Sequence, residues 1–134
     1  YAEAMVNAYG DPDYTGSYSL SARDAVNQVR NRGDVKMPAY PADMSKDAFL
    51  KRLKNERRVE FAFEGQRFWD LRRWKELDDM QNIYKVKVVK QTDGTIQYTK
   101  ALHATYNIQD KMYFYPISNT ELFKNHKLVQ NTGW

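Results

Sequence analysis

The segment ERRVEFAFEGQRFWDLRRW, Glu56 to Trp74, sets four acids (Glu56, Glu60, Glu64, Asp70) and five arginines (Arg57, Arg58, Arg67, Arg72, Arg73) among seven large apolar side chains (Val59, Phe61, Phe63, Phe68, Trp69, Leu71, Trp74). A solvated helix keeps charge and apolar surface on opposite faces. This segment mixes them. On a helical wheel of about 100° per residue anchored at Phe49, Leu53, Glu56, Glu60, Phe63, Arg67, Leu71 and Trp74 fall within about 40° of the anchor if one helical phase runs through. Charged groups then share the stripe that Phe49, Leu53 and Leu71 are expected to bury. A buried unpaired charge is costly, so these groups need partners. Arg57 with Glu60, and Glu64 with Arg67, stand i,i+3 apart and are expected to pair. The sharper reading of the segment is a ligand or catalytic site. The plainer one is a structural ion-pair network that locks two helices, built from Glu56, Arg57, Arg58, Glu60, Glu64, Arg67, Asp70, Arg72 and Arg73.

Three acids at i, i+4 and i+8 (Glu56, Glu60, Glu64) have the look of paired carboxylates for acid–base work. Such a pair needs one member with a raised pKa. Arginines surround this row, and neighbouring cations favour the ionised carboxylate. No catalytic residue is therefore assigned.

Working outward, Tyr1 to Tyr9 reads as a helix stopped by Gly10. Residues 10–19 form a turn-rich loop. Ser21 and Asp24 form a capping box for a helix over Ala22–Arg32, which Gly33 ends. Residues 34–44 form a second loop with Pro38 and Pro41. Ser45 caps the helix that runs into the charged segment, Gly65 interrupts it, and a further helix covers about Phe68 to Leu77. The pattern then changes. Tyr84-Lys-Val-Lys-Val alternates with period two, Asp93-Gly94 is a hairpin turn, and Thr95-Ile-Gln-Tyr98 returns. Lys111 to Tyr115 reads as another extended run closed by Pro116. Ser118 and Glu121 form a capping box for a short last helix, and the tail ends on Trp134. Two helix pairs joined by short loops suggest a degenerate helix-hairpin repeat.

The chain has 134 residues, of which 42% are hydrophobic and 14% aromatic, arguing against disorder. The net charge is +4. Residues 51–75 hold nine Lys/Arg and four Asp/Glu, so this segment accounts for the whole basic excess. A basic helix with interleaved aromatics admits nucleic acid or a protein partner, through Arg72, Arg73 and Lys75. The excess is small and offset locally, so nucleic acid is the lesser reading. Cysteine is absent, which removes disulfides, thiol catalysis and Cys-ligated metals. His103 and His126 are isolated, so no metal site and no cofactor are expected. No apolar run approaches the roughly 20 residues of a membrane span. The opening at Tyr1, in what reads as the middle of a helix, gives the expectation that a targeting segment lies upstream.

Asn55 to Trp74 resembles the hallmark segment near the C-terminus of the SusD/RagB family. Tyr1-Ala-Glu-Ala4 resembles the end of one family helix, and Ala25-Val-Asn-Gln-Val-Arg-Asn-Arg-Gly33 the next. Tyr115-Pro-Ile-Ser118, with Glu121, Asn125, Leu128 and Gln130-Asn-Thr-Gly-Trp134, resembles the family's closing QNPGY/W tail. Thr132 and Ser118 stand where the family usually has proline. The resemblance implies a mainly α fold of tetratricopeptide-like helix pairs with a small β-hairpin insertion. Residues 1–134 would be the C-terminal part of a longer SusD-like domain: helical over 1–80, hairpin and extended segment over 84–117, short helix and tail over 118–134. It further implies a non-enzymatic protein, held at the outer-membrane surface by a lipid anchor upstream. Such proteins bind glycans or other nutrients and deliver them to a SusC-like, TonB-dependent transporter. The ligand-contacting residues would lie largely in upstream loops, leaving them unassigned here.

Overall fold

A computed structural model describes residues 1–134, and the chain divides into two compact units, 1–64 and 65–134. The fold is mainly α, with five helices and one two-stranded antiparallel sheet.

The first unit holds three helices. Helix α1 spans Ala2–Tyr9, and its Ala2, Met5 and Val6 are buried. Gly10 ends it in the left-handed region at φ 78°, which glycine adopts without a Cβ clash. Helix α2 spans Ala22–Arg30 and opens with the expected capping box. The Ser21 hydroxyl accepts from the Asp24 N–H at 3.0 Å, and the Asp24 carboxylate accepts from the Ser21 hydroxyl at 2.7 Å and the Ser21 N–H at 3.3 Å. The serine hydroxyl is the main cause that holds the Asp24 carboxyl below its ordinary pKa. The helix ends before the expected Arg32, with Asn31 and not Gly33 as its cap. Met37 N–H takes the Arg30 carbonyl at 2.8 Å, an orphan acceptor at a helix end. Helix α3 spans Lys46–Glu60 with Ser45 as its cap, and buries Phe49 and Leu53. These helices enclose one core: Ala2, Met5, Val6, Ala22, Val26, Tyr40, Phe49 and Leu53. Tyr40 meets Phe49 edge to face, with ring centroids 5.8 Å apart.

The condition of one helical phase through Trp74 does not hold, and the break comes before the interruption expected at Gly65. Helix α3 stops at Glu60, and Phe63 sits at φ 67° with its side chain fully exposed. The chain therefore leaves the helix before Gly65, and the stripe anchored at Phe49 ends with Glu60.

In the second unit, α4 spans Gln66–Arg73, shorter than expected. Lys75 at φ 56° stops it: the Lys75 N–H reaches the Arg72 carbonyl and the Glu76 N–H reaches the Leu71 carbonyl, the two bonds of a Schellman ending. A 3₁₀ turn, Leu77–Met80, follows. Strands β1 (Asn82–Lys90) and β2 (Ile96–Thr105) pair with Val88 opposite Tyr98 and Val86 opposite Lys100. At their turn, Asp93 accepts from the Thr95 N–H and hydroxyl, and Gly94 sits at φ 87°.

The expected extended run from Lys111 is instead a 3₁₀ turn, Asp110–Tyr113, with extended backbone starting at Phe114. A strand needs a ladder partner, and here the Trp134 indole N–H takes the Lys111 and Phe114 carbonyls at 3.0 and 3.1 Å. Helix α5 spans Asn119–Lys124. Its capping box is half formed: Ser118 accepts from the Glu121 N–H, while the Glu121 carboxylate turns to Lys124 at 3.0 Å. The tail folds back on residues 115–117. The Gln130 amide both accepts from the Ile117 N–H and donates to its carbonyl, and the Asn131 amide donates to the Tyr115 carbonyl at 2.5 Å.

Candidate functional site

The charged half of α3 finds partners on the chain before it. Helix α2 ends with Arg30, and Arg32 follows one residue past its cap, which aims two guanidinium groups at the Glu56 and Glu60 row. Arg30 pairs with Glu56, and both side chains are largely buried. Arg32 donates to Glu60 at 2.5 Å, in a more exposed setting. The Glu60 bond is the first cause that raises the Arg32 pKa further. Tyr40 packs under this pair. Its hydroxyl donates to Glu56 at 3.3 Å, and the Arg30 guanidinium lies 4.9 Å from its ring centre. Burial and then the Glu56 charge push the Tyr40 hydroxyl up to about 12, so it stays a donor at neutral pH.

Glu60 and Arg67 both take partners beyond the expected i,i+3 neighbours. Glu60 goes to Arg32, while the Arg57 guanidinium lies over the Phe61 ring at 5.0 Å. Arg67 bonds Asp79 at 3.1 Å, since Glu64 no longer shares its helix. Arg58 and Glu64 are exposed. In α4 the buried Asp70 carboxylate accepts from Arg73 at 2.9 Å. Arg72 donates to the Phe68 carbonyl and stacks on the Phe68 ring at 3.5 Å. Arg67, Arg72 and Arg73 each already have a partner within the chain, which disfavours a basic surface for nucleic acid. The sequence reading missed Arg30, Arg32 and Tyr40. Its available signal was the pair of arginines at the end of α2, of which Arg30 has no acid near it in its own helix, while Arg32 also meets Asp34 at 3.7 Å.

Two clefts flank α3 within this unit. One, of about 570 Å³, is lined by Arg30, Tyr40, Lys51, Arg52, Asn55 and Glu56, with Ala48. The other, of about 460 Å³, has an apolar floor including Val26, Val29 and Leu53 and a charged rim of Glu3, Arg57, Glu60 and Glu64. In the second unit, Phe68, Trp69 and Tyr115 form an aromatic cluster with centroids 5.1 to 5.8 Å apart. No helix is long and apolar enough to cross a membrane.

A family model described as the SusD family matches residues 1–134. Among solved structures, the chain is similar to a SusD-like protein from Bacteroides fragilis, with a TM-score of 0.77 and 29% identity. That match covers 99% of this chain and 23% of the other, so the chain spans about a quarter of its neighbour's length. A search of curated proteins finds no match.

Proposed function

The chain belongs to the SusD family, and on that premise we propose that it works by binding and not by catalysis, as part of a protein that captures glycans or other nutrients at the bacterial outer-membrane surface. On this reading residues 1–134 are the C-terminal part of a longer domain, lipid-anchored through a segment upstream. The bound nutrient passes to a SusC-like, TonB-dependent transporter. The helix pairs are tetratricopeptide-like, and this portion is mostly scaffold. The charged stretch holds the scaffold together: Glu56, Glu60 and Asp70 serve as acceptors for arginines. The observation that carries the reading is the family match along the whole chain. The pairing of carboxylates with guanidinium groups supports the non-catalytic part, since a proton-transferring acid is kept apart from such partners.

The test uses the protein produced from its complete gene. Glycan panels should retain it on affinity gels, and incubation should release no shorter sugars. Released reducing ends would overturn the non-catalytic reading. Co-purification with an outer-membrane transporter from its native host is expected, and its absence under mild detergent would count against delivery.

A further inference from the structure

We propose that the cleft on the Tyr40 side of α3 is a subsite for an acidic sugar, whose carboxylate or sulfate oxygens lie against Lys51 and Arg52. The proposal rests on the glycan-binding reading and names the class of ligand. Three cations and one carboxylate line this cleft. Arg30 and Glu56 satisfy each other on its floor, and Tyr40 spends its hydroxyl on Glu56. Two positive charges are left over. Lys51 has no hydrogen-bond or ion-pair partner, and neither does the Asn55 amide. The Arg52 guanidinium meets only the Tyr40 ring, 5.8 Å from its centre. Its donors are therefore unspent, and a guanidinium fork matches the paired oxygens of a carboxylate or sulfate.

Helical spacing puts these donors side by side. Lys51 and Asn55 stand i,i+4, as do Arg52 and Glu56, so two adjacent rows of α3 form the wall. Ala48 at the start of the wall leaves room for a ring. The volume of about 570 Å³ falls within the roughly 300–1,000 Å³ of small-ligand sites. The opposite flank of α3 carries Glu3, Glu60 and Glu64 together with Arg57, and Glu60 is already paired with Arg32. An anion is drawn to the unspent Lys51 and Arg52 side. A neutral glycan can accept hydrogen bonds from these donors but lacks the charge that strengthens them for an acidic sugar.

Titration calorimetry on the protein from its complete gene tests this, with a galacturonate trisaccharide, a sulfated trisaccharide, a neutral glucan trisaccharide and inorganic sulfate as probes. At least one acidic trisaccharide should bind, more weakly as salt rises. Its Kd should weaken about tenfold or more in the Lys51→Ala/Arg52→Ala variant, the loss of about one charge-assisted hydrogen bond. A charge-matched Lys85→Ala/Lys87→Ala variant should bind as the parent does. Both pairs are solvent-exposed, and unchanged melting curves would show that the variants fold. Inorganic sulfate binding as tightly as the sugar would overturn the sugar subsite in favour of a bare anion site. Acidic-sugar binding indifferent to the Lys51/Arg52 change would overturn the proposal. Binding of neutral glycan alone would overturn it while leaving the nutrient-binding reading intact. No glycan binding by any probe or panel would overturn both.

Discussion

Residues 1–64 and residues 65–134 solve the same problem by different means. In the first region eight side chains from three helices and a loop close into one buried cluster. In the second, Leu71 and Leu77 are the buried apolar side chains. The hairpin face formed by Tyr84, Val86, Val88, Ile96, Tyr98 and Leu102 has every member more than half exposed. Three helices can turn their stripes toward one another, while a two-stranded hairpin cannot cover its own face. The second region is instead held by directional bonds: the Schellman ending after α4, the Asp93 turn, and the Gln130, Asn131 and Trp134 side chains that take up backbone groups. A net hydrogen bond is worth about 1 kcal/mol, whereas a buried large apolar side chain is worth about 1.5–3 kcal/mol. Residues 1–64 should therefore open last.

The largest expected effect is at Phe49, fully buried at the centre of the helical cluster. Phe49→Ala should cost about 3–5 kcal/mol, read as a fall in denaturant midpoint. Native-state hydrogen exchange should place the slowest amides in α1 to α3. Slower exchange in the hairpin would break the comparison outright. A smaller effect grades the charged pairs within the first region. Arg30→Ala strands Glu56, whose side chain is 16% exposed, beside a tyrosine ring. The cost should be about 2 kcal/mol. Arg32→Ala removes a partner that is itself 44% exposed, and should cost clearly less than Arg30→Ala. Equal losses for the two would show that burial does not set their worth.

Much of this was legible because it is local. Ser21 with Asp24, Ser45 and Gly10 mark helix ends through groups within a few residues, and Asp93-Gly94 fixes a hairpin in the same way. The stripe through Phe49 and Leu53 was legible from periodicity, up to the point where the period stopped. That stopping point was not legible: nothing in Phe61-Ala-Phe63 forbids a helix, and tertiary context decides it. Nor was the pairing. Arg30 lies 26 positions from Glu56 and Arg32 28 from Glu60, so i,i+3 arithmetic favoured the nearer partners. The run at Lys111 failed for a related reason. Its strand-like composition could not reveal that Trp134 would claim two of its carbonyls. The Lys51 and Arg52 cleft stayed hidden because its lining joins Arg30 and Tyr40 to α3.

The Ser21 cap sharpens the comparison at the level of one turn. Ser21→Ala should cost about 1 kcal/mol, measured by chemical unfolding at neutral pH. It should also change the acid limb. The folded Asp24 carboxyl titrates below its unfolded value, so its contribution is present above the unfolded pKa of about 3.9 and is lost as pH falls through the folded one. Stability measured from pH 5 downward should thus fall less steeply in Ser21→Ala than in the parent. Parallel curves would mean that the Ser21 hydroxyl does not set the Asp24 pKa.

The smallest effect carries the most pointed test. Val86 lies on the hairpin face opposite Lys100 and is 66% exposed. Truncation to alanine removes two methyl groups that water already reaches, so the hydrophobic loss is slight. What remains is the weaker strand preference of alanine, a scale that spans about 1 kcal/mol in all. Val86→Ala should therefore change stability by about 0.5 kcal/mol or less, with the melting temperature nearly unmoved. If the melting temperature falls as far as it does for Arg30→Ala, those methyls lose contacts that only a covering partner supplies. The hairpin would then be a packed element in solution, and the contrast between the two regions would reduce to what lies on that face.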